Sequence, residues 1–465
     1  LSLIIAFTFT PWLSAKLLKN VAGSSHGAGH GEGHSAVEAK GAALFARLIQ
    51  PFLGDQRRNR YLLGFGLIIA IALAVMLGVT KHVVLKMLPF DNKSELQIVV
   101  DMPEGTPLEQ THNVLTALAD YLVTVEAVDN VQLYSGTASP IGFNGLVRQY
   151  YLRSLPHQGD IQVNLAAKEN RHHSSHDIAL ALREPLQQIG ARFNANVKIV
   201  EVPPGPPVLS PIVAEVYGPD YASQRALAKE LEQIFVGTDG IVDTDSTVEA
   251  DAQRWVLAID RQRAAMLGVS ERDAAAAIAA ALGGSDAIYL HTGHDKMPVP
   301  VRLKLPLQQQ TSVEDLAAIK VRSRSGDMIA LADILQPQQQ PIDKAIHHKN
   351  LLPVVYVMAD MAGALDSPLY GMFDIRSKLP QGVQEYFISQ PEYPQQFSLK
   401  WDGEWQITYE TFRDMGAAYS VGLVLIYLLV VGQFRSYAVP LVIMAPIPLT
   451  LVGIMPGHAL LSAQF

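Results

Sequence analysis

Hydrophobic residues are concentrated in long uncharged runs on either side of a mainly polar stretch. The first run covers residues 61–79 and the second covers residues 415–434, and neither contains an acidic or basic side chain. A transmembrane helix needs about 20 apolar residues, because each residue adds about 1.5 Å of rise across a hydrocarbon core of about 30 Å. Both runs meet that length. The pattern predicts a large polar domain that is tied to a membrane at both ends.

Apolar segments also occupy the two ends of the chain. Residues 1–18 open within an apolar run, and residues 437–465 form an uncharged stretch that contains several prolines. We therefore predict the end of one transmembrane helix at 1–18, complete helices at 61–80 and 413–434, and a truncated helix at 437–465. We interpret the chain as an excerpt of a longer membrane protein.

Lysine and arginine residues indicate the orientation of the chain in the membrane. They precede the first complete span and also stand between the last two spans: Lys16, Lys19, Lys40, Arg47, Arg57, Arg58, Arg60 and Arg435. Loops rich in these residues remain cytoplasmic. We therefore predict that residues 19–60 form a cytoplasmic linker rich in histidine and glycine. Helical spacing of apolar residues at 45–53 predicts a short interfacial helix there, with an ordinary linker helix as the alternative. The large domain then lies outside the cytoplasm.

The polar stretch begins with a pattern of alternating strands and helices. We predict strands at 95–101, 131–134, 146–152 and 197–202, and helices at 108–125 and 175–189. This β-α-β-β-α-β order is that of a ferredoxin-like sandwich, which we place at residues 90–202. The proline-dense residues 203–211 predict a stiff linker.

A second unit of the same kind follows the linker. Strands at 212–217, 241–244, 354–358 and 397–401 and helices at 221–235 and 366–378 predict a sandwich made of residues 212–250 and 340–405. Residues 251–339 lie between its halves and carry an alanine-rich helix at 271–282, which indicates an inserted domain. The predicted fold class is an α+β membrane protein with transmembrane helices flanking two such sandwiches.

At this point the chain resembles a known family, the resistance-nodulation-division efflux permeases, and specifically their second half. The motifs that carry the resemblance are Thr10-Pro11, Pro103-Glu104-Gly105-Thr106, Ile259-Asp260-Arg261 and Gln433-Phe434-Arg435-Ser436-Tyr437. The resemblance implies two porter subdomains and a docking insertion. It also implies a homotrimer in the bacterial inner membrane, with its large domain in the periplasm, that works with a periplasmic adaptor protein and an outer-membrane channel.

Residues 136–145 are the candidate substrate-binding segment. Their glycines give backbone freedom, and Ile141 and Phe143 offer apolar contacts to a greasy ligand, although an ordinary long hairpin turn is the alternative. The resemblance places the family's flexible switch loop here. It thereby implies a set of residues that line the substrate path: Gln132, Tyr134, Gly136, Thr137, Ser139, Ile141, Phe143 and Tyr150.

Several other chemistries lack a convincing signature. No G-x-x-x-x-G-K-[ST] phosphate loop occurs, and no acidic or basic residue lies in the two uncharged runs, residues 61–79 and 415–434, so we expect neither ATP hydrolysis nor a proton relay within this chain. The resemblance places the family's relay residues outside the segment that this chain covers. The absence of cysteine and of an H-E-x-x-H motif argues against an enzyme, and the net charge of -8 argues against a nucleic-acid partner. We predict no cofactor.

Histidine and aspartate clusters raise the question of a metal site. The glycines around His26, His30 and His34 disfavour a stable helix that would align these side chains as metal ligands. We therefore predict a solvated tether. The second histidine cluster comprises His172, His173 and His176. There, Ser174 followed by Asp177 predicts a helix cap instead of a metal site. A further acidic group, Asp239, Asp243 and Asp245, lacks the pattern of a calcium loop, so we predict a turn. No metal site is predicted.

The sequence as a whole favours a transporter of small amphiphilic organic compounds, and the resemblance implies that it exports them by proton-driven efflux. A heavy-metal cation permease of the same superfamily is the first alternative. However, residues 136–145 contain no Met, His, Asp or Glu for a cation path. An extracytoplasmic ligand sensor is the second alternative, and it would not require a further apolar stretch directly after Arg435.

The predicted orientation can be tested in the complete protein with single cysteines in this cysteine-free segment. We expect a membrane-impermeant maleimide to label Ser154→Cys in intact cells, because residue 154 is outside the cytoplasm, and to leave Ser24→Cys unlabelled. Permeabilised cells provide the control, since both sites should then react. Labelling of Ser24→Cys in intact cells would contradict the orientation.

Overall fold

A computed structural model describes residues 52, 57–84, 86, 91–202, 207–363, 365–392 and 395–461. The predicted segment 1–18 and most of the predicted linker and interfacial helix at 19–60 lie outside the described residues. The chain divides into two units, Leu1–Val79 with Met444–Gly457 and Thr80–Ile443 with His458–Phe465.

The first apolar helix, α1, covers Arg57–Val79 and begins slightly before the predicted residue 61. Large apolar side chains such as Phe65, Ile68 and Leu73 are exposed on it. Exposure of apolar side chains around a helix is typical of a segment whose solvent is lipid. This helix is one of three in the described part of the chain that are long and apolar enough to cross a membrane.

The first subdomain contains a four-stranded antiparallel sheet in the order β2-β3-β1-β4. Its elements are β1 (Glu95–Asp101), α2 (Leu108–Leu122), β2 (Val128–Ser135), the short helix α3 (Phe143–Val147), β3 (Gln158–Leu165), α4 (Ser175–Ala191) and β4 (Asn196–Val200). Helices α2 and α4 pack on one face of the sheet, where Ile98, Leu115 and Ile161 are fully buried.

The opposite face of this sheet is polar. Because successive strand residues point to opposite faces, the positions between the core residues place Gln97, Asp160 and Lys198 on that side. All three are nonetheless buried, and Asp160 has no exposed surface. A buried polar face of this kind needs hydrogen-bonding or ionic partners. The segment between β2 and β3 supplies them for Gln97 and Asp160, whereas Asp101 and Asp245 supply them for Lys198.

The predicted strand at 146–152 is wrong. These residues complete α3 and form a 3₁₀ turn at Tyr150–Leu152, so the next strand of the sheet is β3. Gln149 adopts a left-handed conformation with φ of 59°, which separates the two helical turns and interrupts any extended run. A short apolar run does not distinguish a strand from a buried helical segment by periodicity, and this explains the error.

The second subdomain opens with β5 (Ile212–Tyr217), α5 (Tyr221–Val236) and β6 (Ile241–Ser246). The predicted turn at Asp239, Asp243 and Asp245 is wrong for the last two residues, since both lie on β6. Asp243 has a positive φ of 52°, an unusual backbone state for a residue other than glycine.

The inserted segment comes next, and its first and last strands pair with each other. Its elements are β7 (Gln253–Ile259), α6 (Arg261–Met266), α7 (Glu271–Gly283), β8 (Ser285–Leu290), β9 (Val299–Leu303), α8 (Val313–Ala317), β10 (Lys320–Arg322), β11 (Met328–Ala330) and β12 (Leu335–Pro341). Strand β7 pairs with β12, so the segment leaves and re-enters at one place. A small core around Ala264, Leu331 and Ile334 holds it together.

The second sheet is completed by β13 (His347–Lys349), β14 (Leu352–Met361), α9 (Pro368–Arg376), β15 (Gln384–Tyr386) and β16 (Ser398–Gly403). Its strand order is β13-β14-β5-β16-β15, and β6 also pairs with β14. The order β6-β14-β5-β16 therefore repeats the order of the first sheet. Trp401 and Phe235 lie fully buried between this sheet and its helices.

The second sheet continues directly into the next apolar helix. Gly403 has φ of 76°, and a Cβ at this position would lie 2.6 Å from the carbonyl oxygens of Ser210 and Pro211, so only glycine fits. Helix α10 (Glu404–Phe434) then begins well before the predicted residue 413. The last apolar segment, Ala438–Leu461, consists of α11 (Ala438–Met444), a 3₁₀ turn and α12 (Thr450–Leu461).

Candidate functional site

The segment that joins β2 to β3 covers residues 136–157, and we call it the bridging loop. It begins at Gly136, whose φ of 64° is in the left-handed region and whose hypothetical Cβ would lie 2.6 Å from Leu108 Cδ1. The Gly136 amide donates a hydrogen bond to the Gln158 carbonyl at 2.8 Å, and this bond joins the two ends of the loop. A side chain at residue 136 would therefore disturb both the turn and the packing of α2.

One carboxylate, that of Asp160 on β3, holds the first half of the loop. The Ser139 amide donates to Asp160 Oδ2 at 3.0 Å, and Gln97 Nε2 donates to the same oxygen at 3.2 Å. Gln97 Nε2 also lies 3.1 Å from Ser139 Oγ. Ser139 is thus buried as an anchor of the loop.

The same carboxylate holds the second half of the loop through Arg153. Arg153 Nε donates to Asp160 Oδ1 at 3.0 Å, and its Nη2 donates to the Val100 carbonyl at 2.9 Å. Arg153 Nη1 lies 2.8 Å from Asp101 Oδ1. An unpaired carboxylate without solvent would cost several kcal/mol, so these donors make the burial of Asp160 tolerable.

The chain of charges continues from Asp101 into the second subdomain. Lys198 Nζ lies 2.7 Å from Asp101 Oδ2 and also contacts the carboxylate of Asp245 on β6. Burial alone would raise the pKa of Asp101, but Lys198 and Arg153 outweigh it and hold the pKa of this carboxyl at about 2. Asp101 is therefore charged at neutral pH and completes a continuous ionic connection between the loop and both sheets.

Several ion pairs cross the boundary between the two subdomains, and each has its basic partner on the same side. Cationic or protonatable side chains come from the first subdomain and carboxylates from the second. The pairs are Arg148 with Asp360 (3.3 Å), Arg183 with Asp243 (2.5 Å), Lys198 with Asp245, and His176 with Asp366 (3.5 Å). Because Arg148 lies in the bridging loop, the loop is attached to both subdomains.

The predicted substrate-binding residues occupy three different surroundings. Ile141 and Phe143 are exposed at 72% and 47%, and Thr137 is also exposed. On β2, Tyr134 donates its hydroxyl hydrogen to Gln132 Oε1 at 2.9 Å. The half-buried Tyr150 ring lies under the Arg153 guanidinium, with 5.8 Å between the guanidinium carbon and the ring centroid.

These residues do not enclose a large cavity together. Ser139, Gly142 and Phe143 border a cavity of only about 20 Å³, beside Gln97 and Gln162. That volume is too small for a drug-sized molecule, because ligand pockets usually measure about 300–1,000 Å³.

A much larger cleft, of about 970 Å³, lies between the two subdomains. Residues 101–107, 153 and 155–158 of the first subdomain and residues 245–250 and 252 of the second contribute to its walls. The lining includes the Pro103-Glu104-Gly105-Thr106 turn and the end of the bridging loop at Leu155. The eight residues predicted from the sequence are not among those that line it.

The sequence contained only a partial signal for this cleft. Pro103-Glu104-Gly105-Thr106 is one of the motifs that carry the family resemblance, but its position opposite β6 depends on the packing of two separate sheets. Arg153 and Asp160 could be noticed as charges beside apolar positions. Their pairing, however, depends on the path that the bridging loop takes in the folded chain.

The second histidine cluster has a structural explanation. Ser174 accepts a hydrogen bond from the Asp177 amide, and the Asp177 carboxylate accepts one from the Ser174 amide, so the predicted helix cap is confirmed as a reciprocal capping box. His172 and His173 are exposed, whereas His176 faces carboxylates. Within the residues described here, no group of three or more His, Asp or Glu side chains is placed to hold a metal ion.

Three helices that are long and apolar enough to cross a membrane, together with two α+β subdomains and the cleft between them, agree with the class of the resistance-nodulation-division efflux transporters. The family profile described as AcrB/AcrD/AcrF matches residues 1–465, and the chain belongs to this family. The resemblance drawn from the sequence motifs is therefore confirmed.

Individual relatives include pumps with different named substrates. The chain is 22% identical to the multidrug export protein AcrF of Escherichia coli K12, over 100% of the chain and 43% of AcrF. It is also 22% identical to the cobalt-zinc-cadmium resistance protein CzcA of Cupriavidus metallidurans, over 57% of the chain and 24% of CzcA. The chain thus spans less than half the length of these relatives.

Solved structures of a heavy metal efflux pump in two crystal forms share the fold. The TM-score is 0.71 for each, the sequence identities are 16% and 17%, and the match covers 93% of this chain and 42% of the pump. At this level of identity, the likeness establishes the fold and leaves the substrate open.

The anchoring role of Asp160 can be tested by Asp160→Asn in the complete protein in detergent. Without the charge of Asp160, Arg153 keeps only Asp101 as an ionic partner. Removal of one member of a buried ion pair typically lowers the free energy of unfolding by about 3–5 kcal/mol. We expect amide hydrogen exchange in residues 137–153 to accelerate by about tenfold or more, while β14 keeps its protection.

Asp129→Asn on the exposed end of β2 is the matched control, since it removes a solvated carboxylate from the same sheet. It should leave exchange in the loop unchanged. Equal exchange rates in the Asp160→Asn and parent proteins would show that the loop is held by other contacts.

Proposed function

We propose that this chain is the second-half portion of an efflux permease that exports small amphiphilic organic compounds. The cleft of about 970 Å³ between the two subdomains is the observation that carries the proposal. Its volume suits a drug-sized molecule, and its walls combine apolar side chains such as Met102 and Val248 with charged ones. A ligand with apolar and polar parts can satisfy both kinds of wall.

In this proposal, residues 90–202 and residues 212–250 with 340–405 are ferredoxin-like porter subdomains. The repeated strand order supports this assignment. Residues 251–339 are the docking subdomain that faces an outer-membrane channel, and residues 203–211 link the two porter subdomains.

We further propose that the complete protein lies in the bacterial inner membrane and extends its large domain into the periplasm. It works there as a homotrimer with a periplasmic adaptor protein and an outer-membrane channel. Proton flow through membrane helices outside this chain drives export. The three apolar helices support the membrane placement.

The bridging loop controls access to the cleft in this scheme. Its end forms part of the cleft wall through Arg153 and Leu155, while Arg148 attaches it to the second subdomain. Movement of the loop would therefore change the cleft. The exposed side chains of Ile141 and Phe143 provide apolar contact area to a passing ligand.

Export of heavy-metal cations is the second candidate function. The named substrates of CzcA and of the structurally similar pump favour it. Against it, residues 136–145 contain no Met, His, Asp or Glu. The cleft wall does include His157 and His347, but among the described residues no group of three or more His, Asp or Glu side chains is placed to hold a metal ion. We therefore retain the organic substrate class as the first proposal.

The proposed path can be tested by narrowing the cleft with Leu155→Trp in the complete pump. The larger side chain should obstruct bulky amphiphiles, and export should fall about tenfold, which corresponds to about 1.4 kcal/mol of lost binding. Efflux of a fluorescent amphiphile from a pump-deleted host that carries each variant at equal expression provides the measurement.

Leu152→Trp is the matched control, because Leu152 is another exposed leucine of the same loop, at 62% against 50% for Leu155, and does not line the cleft. It should export like the parent. Equal export by both variants would remove the cleft from the path. Loss of zinc or cobalt tolerance without any change in dye efflux would favour the metal alternative.

A further inference from the structure

His176 occupies a position between the two subdomains that the substrate path does not explain. It lies in the first turn of α4, with Nδ1 2.8 Å from Glu201 Oε1 and Nε2 3.5 Å from Asp366 Oδ2. Glu201 follows β4 in the first subdomain, whereas Asp366 precedes α9 in the second. The imidazole ring therefore connects carboxylates from both sides of the boundary.

Carboxylates at both nitrogens constrain the protonation state of the ring. A neutral imidazole has a single N–H, so it can donate to only one of the two carboxylates, and its other nitrogen directs a lone pair toward the second. The imidazolium ion carries an N–H on each nitrogen and can serve both. The geometry thus fits the charged form of His176.

The charges around this ring come from several elements. Lys86 Nζ donates to Asp366 Oδ2 at 2.6 Å, so Asp366 faces two cations when His176 is protonated. Asp177 lies next to His176 on α4 within the capping box. Side-chain exposure is only 22% for His176 and 8% for Asp366, so water screens their interaction weakly.

The balance of these charges favours protonation. The hydrogen bond to Glu201 raises the pKa of His176 above its ordinary value, burial opposes the shift, and the charges of Glu201 and Asp366 add to it. Lys86 opposes protonation. Burial raises the pKa of Asp366, while Lys86 and His176 favour its charged form.

We propose that His176, Glu201 and Asp366 form a proton-binding clasp that joins the two porter subdomains. Protonated His176 bridges Glu201 and Asp366, and loss of the proton removes the attraction to Asp366. Opening of the cleft between the subdomains then depends on the pH outside the cytoplasm. This role is independent of which substrate the pump exports.

The direction of the pH dependence follows from the raised pKa. The clasp contributes fully below about pH 6.5, the ordinary pKa of histidine, and its contribution is lost as the pH rises through the raised pKa of the joined state. Acidic conditions should favour joined subdomains and alkaline conditions separated ones. A difference of one pKa unit between the two states corresponds to about a tenfold change in the opening equilibrium.

The test measures the separation of the subdomains directly. Spin labels at Val123→Cys and Val236→Cys, both exposed and located one in each subdomain, report this distance in the complete pump. Labelled protein is diluted into unlabelled protein and measured from about pH 5.5 to about pH 8.5. The separated population should rise several-fold across this range, with a midpoint above the ordinary histidine pKa.

Substitutions of His176 distinguish the clasp from other titrating groups. His176→Gln should show the high-pH distance distribution at every pH, and His176→Arg should show the low-pH distribution throughout. His172→Gln, on an exposed histidine of the same segment, should keep the parent's profile. An unchanged pH profile in His176→Gln would overturn the proposal, as would a parent protein whose distance distribution does not respond to pH.

Discussion

The burial of Asp160 is the constraint on which the arrangement of this domain depends. A carboxylate with no exposed surface must be satisfied by donors, and these are Gln97 on β1 together with Ser139 and Arg153 of the bridging loop. The loop is therefore folded against the polar face of the first sheet. Arg153 also pairs with Asp101. Lys198 pairs both with Asp101 and with Asp245 of the second subdomain. One desolvated charge thus determines how the loop, both sheets and the cleft wall are connected.

The boundary between the subdomains is built from charges instead of a hydrophobic core. Each subdomain has its own apolar core around its own helices, so separation of the two exposes little apolar surface. Ion pairs hold the subdomains together only while both partners are charged and shielded from water. Once water enters, hydration of the separated charges offsets most of their attraction. Such a boundary suits the proposed role of the cleft, which requires opening and closing, and its strength can respond to protonation and to salt.

Local sequence patterns predicted the elements that depend on near neighbours. The strand at 95–101, the strand at 212–217 and the cap formed by Ser174 and Asp177 follow from alternation and from short-range hydrogen bonding, and all three are present. The helical course of residues 143–152 was missed, because periodicity does not distinguish a short apolar strand from a short helical segment. Pairs between distant residues were also missed. The Arg148–Asp360 pair joins positions 212 residues apart, and the Lys86–Asp366 pair joins positions 280 residues apart. No periodicity in a single sequence encodes such pairs, so the cleft and its charged boundary could be recognised only from the folded chain.

When the cleft opens as proposed, the bridging loop should stay attached to the first subdomain through Arg153 and release the second at Arg148. Cryo-electron microscopy of the complete pump with a bound amphiphile tests it most directly, because protomers with narrow and wide clefts can be compared within one sample. The account predicts that every widened cleft retains the Arg153–Asp160 contact and has lost the Arg148–Asp360 contact. A widened cleft with the Arg148–Asp360 contact intact, or with Arg153 detached from Asp160, would contradict it.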